Sequence, residues 1–157
     1  MQKLTLDERL EQIESKISEK SFRENKGLGN EVGYYVFDYD PRQETNVREY
    51  IKYLKDRIND GNKDFKIIEV DLFHLMIQIL QEEDYLDAFF DLEKENGFFD
   101  MADSLVETLG LDETDEQNLI ISHILANDLT DSVLFLTGVG KCHPIIASHN
   151  ILNNLHQ

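Results

Sequence analysis

The chain reads as an α/β protein with a small, mainly parallel sheet of about three strands. Helices lie on both faces of the sheet, and a helical insertion precedes the last strand. Three observations predict this. Apolar residues recur at three- and four-residue spacing in several segments, the helical period. Short runs rich in β-branched and aromatic residues lie between those segments. The two kinds of segment alternate, which implies parallel pairing through right-handed crossovers.

The first helix spans about 6–20, with Leu6, Leu10, Ile13 and Ile17 on one stripe and Thr5 with Glu8 as a capping box. The stretch 24–33 holds three of the eight glycines and connects this helix to the main body. Residues 34–39 (YYVFDY) form the first predicted strand. Asp40 suits an N-cap and Pro41 a first helical position. The helix they open carries Val47, Tyr50, Ile51, Leu54 and Ile58, and 59–62 (NDGN) stops it.

Residues 65–70 (FKIIEV) form the second strand. Asp71 opens a helix with Leu72, Leu75, Met76, Ile79 and Leu80 on one side. The region 81–111 is helical, broken at Asn96-Gly97 and Gly110, and Thr114 with Gln117 opens the next helix. Residues 133–136 (VLFL) lack polar alternation and should be a strand buried on both faces. A glycine turn at 137–140 leads to a last helix with Ile145, Ile146, Ile151, Leu152 and Leu155.

At 157 residues the chain has the length of one domain, expected over 1–157. It carries 15 basic and 32 acidic residues, a formal charge of −17. That balance repels nucleic-acid phosphate, so no direct DNA binding is expected. No apolar run reaches the length of a membrane span, and the first 20 residues lack a signal-peptide core, so the expected location is cytoplasmic. Cys142 is the single cysteine, which excludes an internal disulfide and a thiolate metal cluster and suits a buried thiol.

Two places carry candidate chemistry. Thr137, Gly138, Gly140 and Lys141 lie on a strand-to-helix turn, where backbone amides can hold an anion. The P-loop pattern fails there, because Phe135 stands at the required glycine and Cys142 at the required hydroxyl residue. Asp38 and Asp71 stand at strand carboxyl ends, which converge on a ligand crevice in parallel sheets. Without any ligand, Asp71 is accounted for as an N-cap, Asp38 as a solvated or hydrogen-bonded neighbour of the cap Asp40, and the glycines as a tight turn. His143 and His149 are six apart and share no helical face. His149 and His156 are seven apart and could share one, but a single pair makes a poor metal site. Ser148-His149 are neighbours that point apart on a helix, so neither a metal site nor a nucleophile pair is expected.

Several segments together carry a resemblance: Gly27-Leu28-Gly29-Asn30-Glu31, Phe37-Asp38-Tyr39-Asp40-Pro41, Arg48, 135–141 (FLTGVGK), Pro144, Ser148-His149 and 151–155 (ILNNL). On these the chain resembles the BrxB family of bacteriophage exclusion (BREX) defence systems. The resemblance implies a cytoplasmic component of phage restriction working beside a methyltransferase, a large ATPase and the phosphatase-like PglZ. It carries over no catalytic activity and no cofactor. It also implies a further strand after Gln157, so the chain is expected to be a shortened form with an open sheet edge.

The expected function is therefore a non-enzymatic assembly subunit. Its partners would be other BREX proteins, above all PglZ, bound through the acidic runs 81–84 and 112–116 or through the open sheet edge, which is also a route to homo-oligomers. The alternative is a ligand- or nucleotide-sensing domain using Asp38, Asp71, Thr137 and Lys141. An acidic DNA mimic rests on net charge alone.

Overall fold

The computed structural model describes residues 3–24, 34–113, 117–143, 145–146 and 155. Two compact units divide the chain: Met1–Ile68 with Leu129–Leu134, and Glu69–Asp128 with Phe135–Gln157. The fold is α/β, with helices around a parallel sheet of two strands, β1 (Lys66–Asp71) and β2 (Ser132–Thr137). The Lys66 N–H donates to the Asp131 carbonyl at 3.0 Å where the two strands begin.

In the first unit, α1 (Leu6–Ile17) starts where the Thr5 hydroxyl accepts from the Glu8 N–H at 3.2 Å. The chain bends at Ser18 into the short α2 (Lys20–Arg23). Asp40 caps a 3-10 turn, Pro41–Gln43, that runs into α3 (Glu44–Asn59). Leu10 and Ile17 of α1, and Val47, Ile51, Leu54 and Ile58 of α3, are buried. Arg57 of α3 bonds Glu14 of α1 at 2.9 Å.

The predicted strand at 34–39 does not form, so among the described residues the sheet has two strands and not three. Aromatic residues favour strands because they fit half-buried pleated surfaces, and a helix can offer an equivalent surface. Here the Lys16 ammonium lies 4.5 Å from the Tyr35 ring centre and the Arg9 guanidinium 4.6 Å from that of Phe37. Arg9 also donates to the Asp38 carbonyl, and the Phe22 and Tyr35 rings stand 5.4 Å apart. The segment is thus tied to the N-terminal helices by side chains instead of by a backbone ladder.

The outer edge of β1 is blunted by a side chain. Asn59 donates to the Ile67 carbonyl at 3.0 Å and accepts from the Ile67 N–H at 2.8 Å. The N–H and C=O of one strand residue point the same way, so the Asn59 amide stands where a neighbouring strand's peptide would.

In the second unit, α4 (Leu72–Glu82) packs against α5 (Leu86–Asn96), α7 (Leu119–Leu125) and α8 (Val139–Cys142). α5 and α6 (Phe98–Leu109) form a hairpin around Gly97, whose φ is +92°. Gly110 ends α6 at φ +67°, as the sequence predicts. The cap of α7 is Asn118, not Thr114, which lies outside the described residues. β2 is buried only at Val133, so the expectation of two covered faces is corrected. A strand with a single neighbour keeps more of its surface accessible than an interior one. Of the predicted last helix, only Ile145, Ile146 and Leu155 are described among its apolar residues.

Candidate functional site

The strand-end turn of the second unit is assembled from β1, the start of α4, and β2 with its glycine turn. Asp71 ends β1, and its Oδ1 accepts from the His74 N–H at 3.0 Å, which caps α4. Gly138 follows β2 at φ +70°. A Cβ there would stand 2.2 Å from Asp71 Oδ1, 2.9 Å from its Cγ and 3.3 Å from the Phe73 nitrogen. Gly138 is therefore required twice, by its left-handed backbone and by the close approach of the Asp71 carboxylate. At Gly140 a Cβ would meet nothing within 4 Å.

The remaining groups are held by the fold as well. The Thr137 hydroxyl donates to Glu69 Oε2 at 2.6 Å. The Lys141 ammonium lies 5.8 Å from the centre of the Phe73 ring. Cys142 is fully buried, and burial, with the Asp71 carboxylate adding, pushes its thiol up to about 12. At neutral pH it is a protonated thiol.

Of the residues singled out in the sequence, Thr137, Gly138 and Asp71 share one small region, with Lys141 one helical turn further along. Asp38 belongs to the first unit, where its carbonyl is taken by Arg9. Glu69 was not singled out, yet it receives the threonine hydroxyl. Its alternation with Asp71 along β1 is the signal in the sequence. Two carboxylates at this turn set a negative field against the anion that the turn's amides would attract. Among the described residues, no group of three His, Cys, Asp or Glu is arranged to hold a metal ion, and no helix is long and apolar enough to cross a membrane.

Two further features were not legible as sites. Asn118 is fully buried; its Oδ1 accepts from the Ile120 and Ile121 N–H groups at 3.1 and 3.2 Å, and its amide donates to the Leu111 and Glu113 carbonyls at 3.4 and 3.3 Å. It pins the connection after α6 to the start of α7. The second feature is the α5–α6 hairpin, which leaves Tyr85, Phe90, Phe98 and Phe99 exposed. In the first unit, Glu11, Glu14, Tyr50, Tyr53 and Arg57 line an open groove of about 550 Å³ along α1 and α3.

The charge is distributed unevenly. Between residues 67 and 140 there are eighteen carboxylates and one cation, Lys94, so this stretch accounts for the whole formal charge of −17. The remainder of the chain is balanced, with fourteen residues of each sign.

Comparison with known proteins places these features in a family. The family model described as BREX protein BrxB matches residues 68–157, a span that holds the hairpin, β2 and the glycine turn. The BREX protein BrxB of Bacillus cereus (strain H3081.97) is 44% identical over 152 residues, which cover 97% of this chain and 78% of that protein. The BREX protein BrxB of Escherichia coli O9:H4 (strain HS) is 32% identical over 152 residues, covering 96% of this chain and 72% of that protein. No solved structure matches the chain. Since the family match takes in more than half of the chain and both relatives align along nearly all of it, this protein belongs to the BrxB family of BREX proteins.

Proposed function

We propose that this protein is a non-enzymatic subunit of a BREX system for defence against bacteriophages, acting by contact with another protein of that system, with PglZ as the partner. The observation that carries the reading is the segregation of charge, one lysine against eighteen carboxylates between residues 67 and 140. A field of one sign over one part of a molecule raises the encounter rate with an oppositely charged surface and suppresses wrong partners. The glycine turn supports the same reading, because its Thr137 hydroxyl and the Asp71 carboxylate already serve the fold.

The test is co-purification of the tagged chain with PglZ expressed from the same defence system. Capture that fails when Glu82, Glu83, Asp87 and Asp91 are replaced by Lys, with the variant still folded, supports the proposal. A chain that captures no PglZ but melts several degrees higher with Mg²⁺ and ATP overturns it in favour of nucleotide sensing.

A further inference from the structure

We infer that the α5–α6 hairpin is a docking face for a basic amphipathic helix of a partner protein, whose apolar stripe meets Phe90, Phe98 and Phe99 while its flanking Lys and Arg side chains meet the surrounding carboxylates. This rests on the protein-contact reading above and names the chemistry of the contact.

The first observation is an amphipathic helix whose apolar face is at most half covered, with Leu86, Phe89 and Leu92 half-buried. Five of the eleven residues of α5 are apolar (Leu86, Ala88, Phe89, Phe90 and Leu92), yet none is buried. α6 differs, since Met101, Ala102, Leu105 and Leu109 are all buried. What α5 and the start of α6 leave in solvent is aromatic: Phe90 is 51% exposed, Phe98 38% and Phe99 78%, with Tyr85 at 45% beside them. The Phe98 and Phe99 rings meet edge to face at 5.8 Å. A lone exposed aromatic is ordinary, but four on one hairpin mark an interaction surface.

The second observation selects the occupant. Residues 82–107 carry ten carboxylates and a single cation, Lys94. A second copy of this chain seated on the same face would set ten carboxylates against ten. Nucleic-acid phosphate and anionic lipid meet the same repulsion. A cationic helix with an apolar stripe satisfies both the aromatic groups and the acid around them, as helices do in apolar grooves rimmed by opposite charge.

The test uses the full chain and two fluorescent peptides of identical Lys and Leu composition, each about five helical turns long. In one peptide the leucines follow the helical period; in the other the order is scrambled. At physiological salt the patterned peptide binds about tenfold tighter than the scrambled one, the size of effect expected from an aromatic anchor. Phe99→Ser, and Phe90→Ser with it, bring the patterned peptide down to the scrambled level. Tyr53→Ser, an exposed aromatic of the first unit, leaves the preference intact. Equal binding of both peptides to the unaltered chain overturns the inference, because it describes a simple polyanion. An unchanged preference in the folded Phe90→Ser/Phe99→Ser variant also overturns it. So does a sedimentation profile in which the chain is a dimer that Phe99→Ser dissociates. PglZ capture that survives the phenylalanine substitutions removes this face while leaving the protein-contact reading in place.

Discussion

Replacing Gly138 with alanine tests the physical account of the strand-end turn. The left-handed backbone at φ +70° costs a residue with a Cβ roughly 1–2 kcal/mol. The new methyl would stand 2.2 Å from Asp71 Oδ1, so the carboxylate has to move. Moving it breaks the 3.0 Å bond from the His74 N–H, and losing an N-cap costs about 1 kcal/mol more. Together Gly138→Ala is expected to destabilise the protein by about 2–3 kcal/mol. Gly140 is the internal control, since a Cβ there meets open space and the residue lies within α8. Gly140→Ala is expected to be neutral or to stabilise by up to about 1 kcal/mol. Urea unfolding followed by circular dichroism measures both, through the midpoint at constant m. A cycle with Asp71→Ala separates the two contributions. In that background the clash with the Asp71 carboxylate disappears, so the Gly138→Ala cost falls to the backbone part and the 3.3 Å approach to the Phe73 nitrogen. A Gly138→Ala protein as stable as the parent, or a Gly140→Ala protein just as damaged, would refute the reasoning.

Asn118→Ala should cost about 2–4 kcal/mol in urea unfolding, because it removes a buried cap and strands the Leu111 and Glu113 carbonyls. Asn118→Asp should be worse at pH 7 than at pH 5, since it sets a buried carboxylate against those carbonyls. Cys142 should react with iodoacetamide only as the chain unfolds, so native labelling should follow the unfolding curve. Tyr39, held by burial and then by the Glu44 carboxylate, ionises at about 12 in place of 10.0. Its folded pKa is raised, so its stabilising contribution is complete below pH 10.0 and is lost as the pH climbs through about 12. Ultraviolet titration of Tyr39→Phe should therefore lack the latest-ionising tyrosinate. Asn59→Ala should cost about 1–2 kcal/mol and promote self-association, by freeing the peptide groups of Ile67 on the β1 edge; light scattering reads the second effect.

Much of the candidate turn was legible because it rests on local chemistry. Asp71 caps the helix it precedes, and Gly138 takes the backbone that a Thr-Gly-Val-Gly turn demands. The contact between those two residues was not legible, for they are 67 positions apart in the sequence and only a parallel pairing brings them together. Glu69 was missed for the same reason. It reads as one polar residue in an apolar strand until Thr137 is placed opposite. The hairpin was missed for a different one. Its apolar residues follow a helical period, and periodicity states that a face is apolar without stating that anything covers it.

By itself the sequence determined the family, the acidity, and the positions of most helices and their breaks. Caps, glycines and apolar period act over one or two turns of chain. The tertiary structure alone decided that 34–39 lies against the N-terminal helices and not in the sheet. There Arg9, Lys16 and Phe22 receive aromatic side chains that a third strand would have offered to a neighbour. It alone decided that α5 keeps Phe90 in water while Phe89 is half-buried, because burial is a property of what lies opposite a surface, and no local pattern records that.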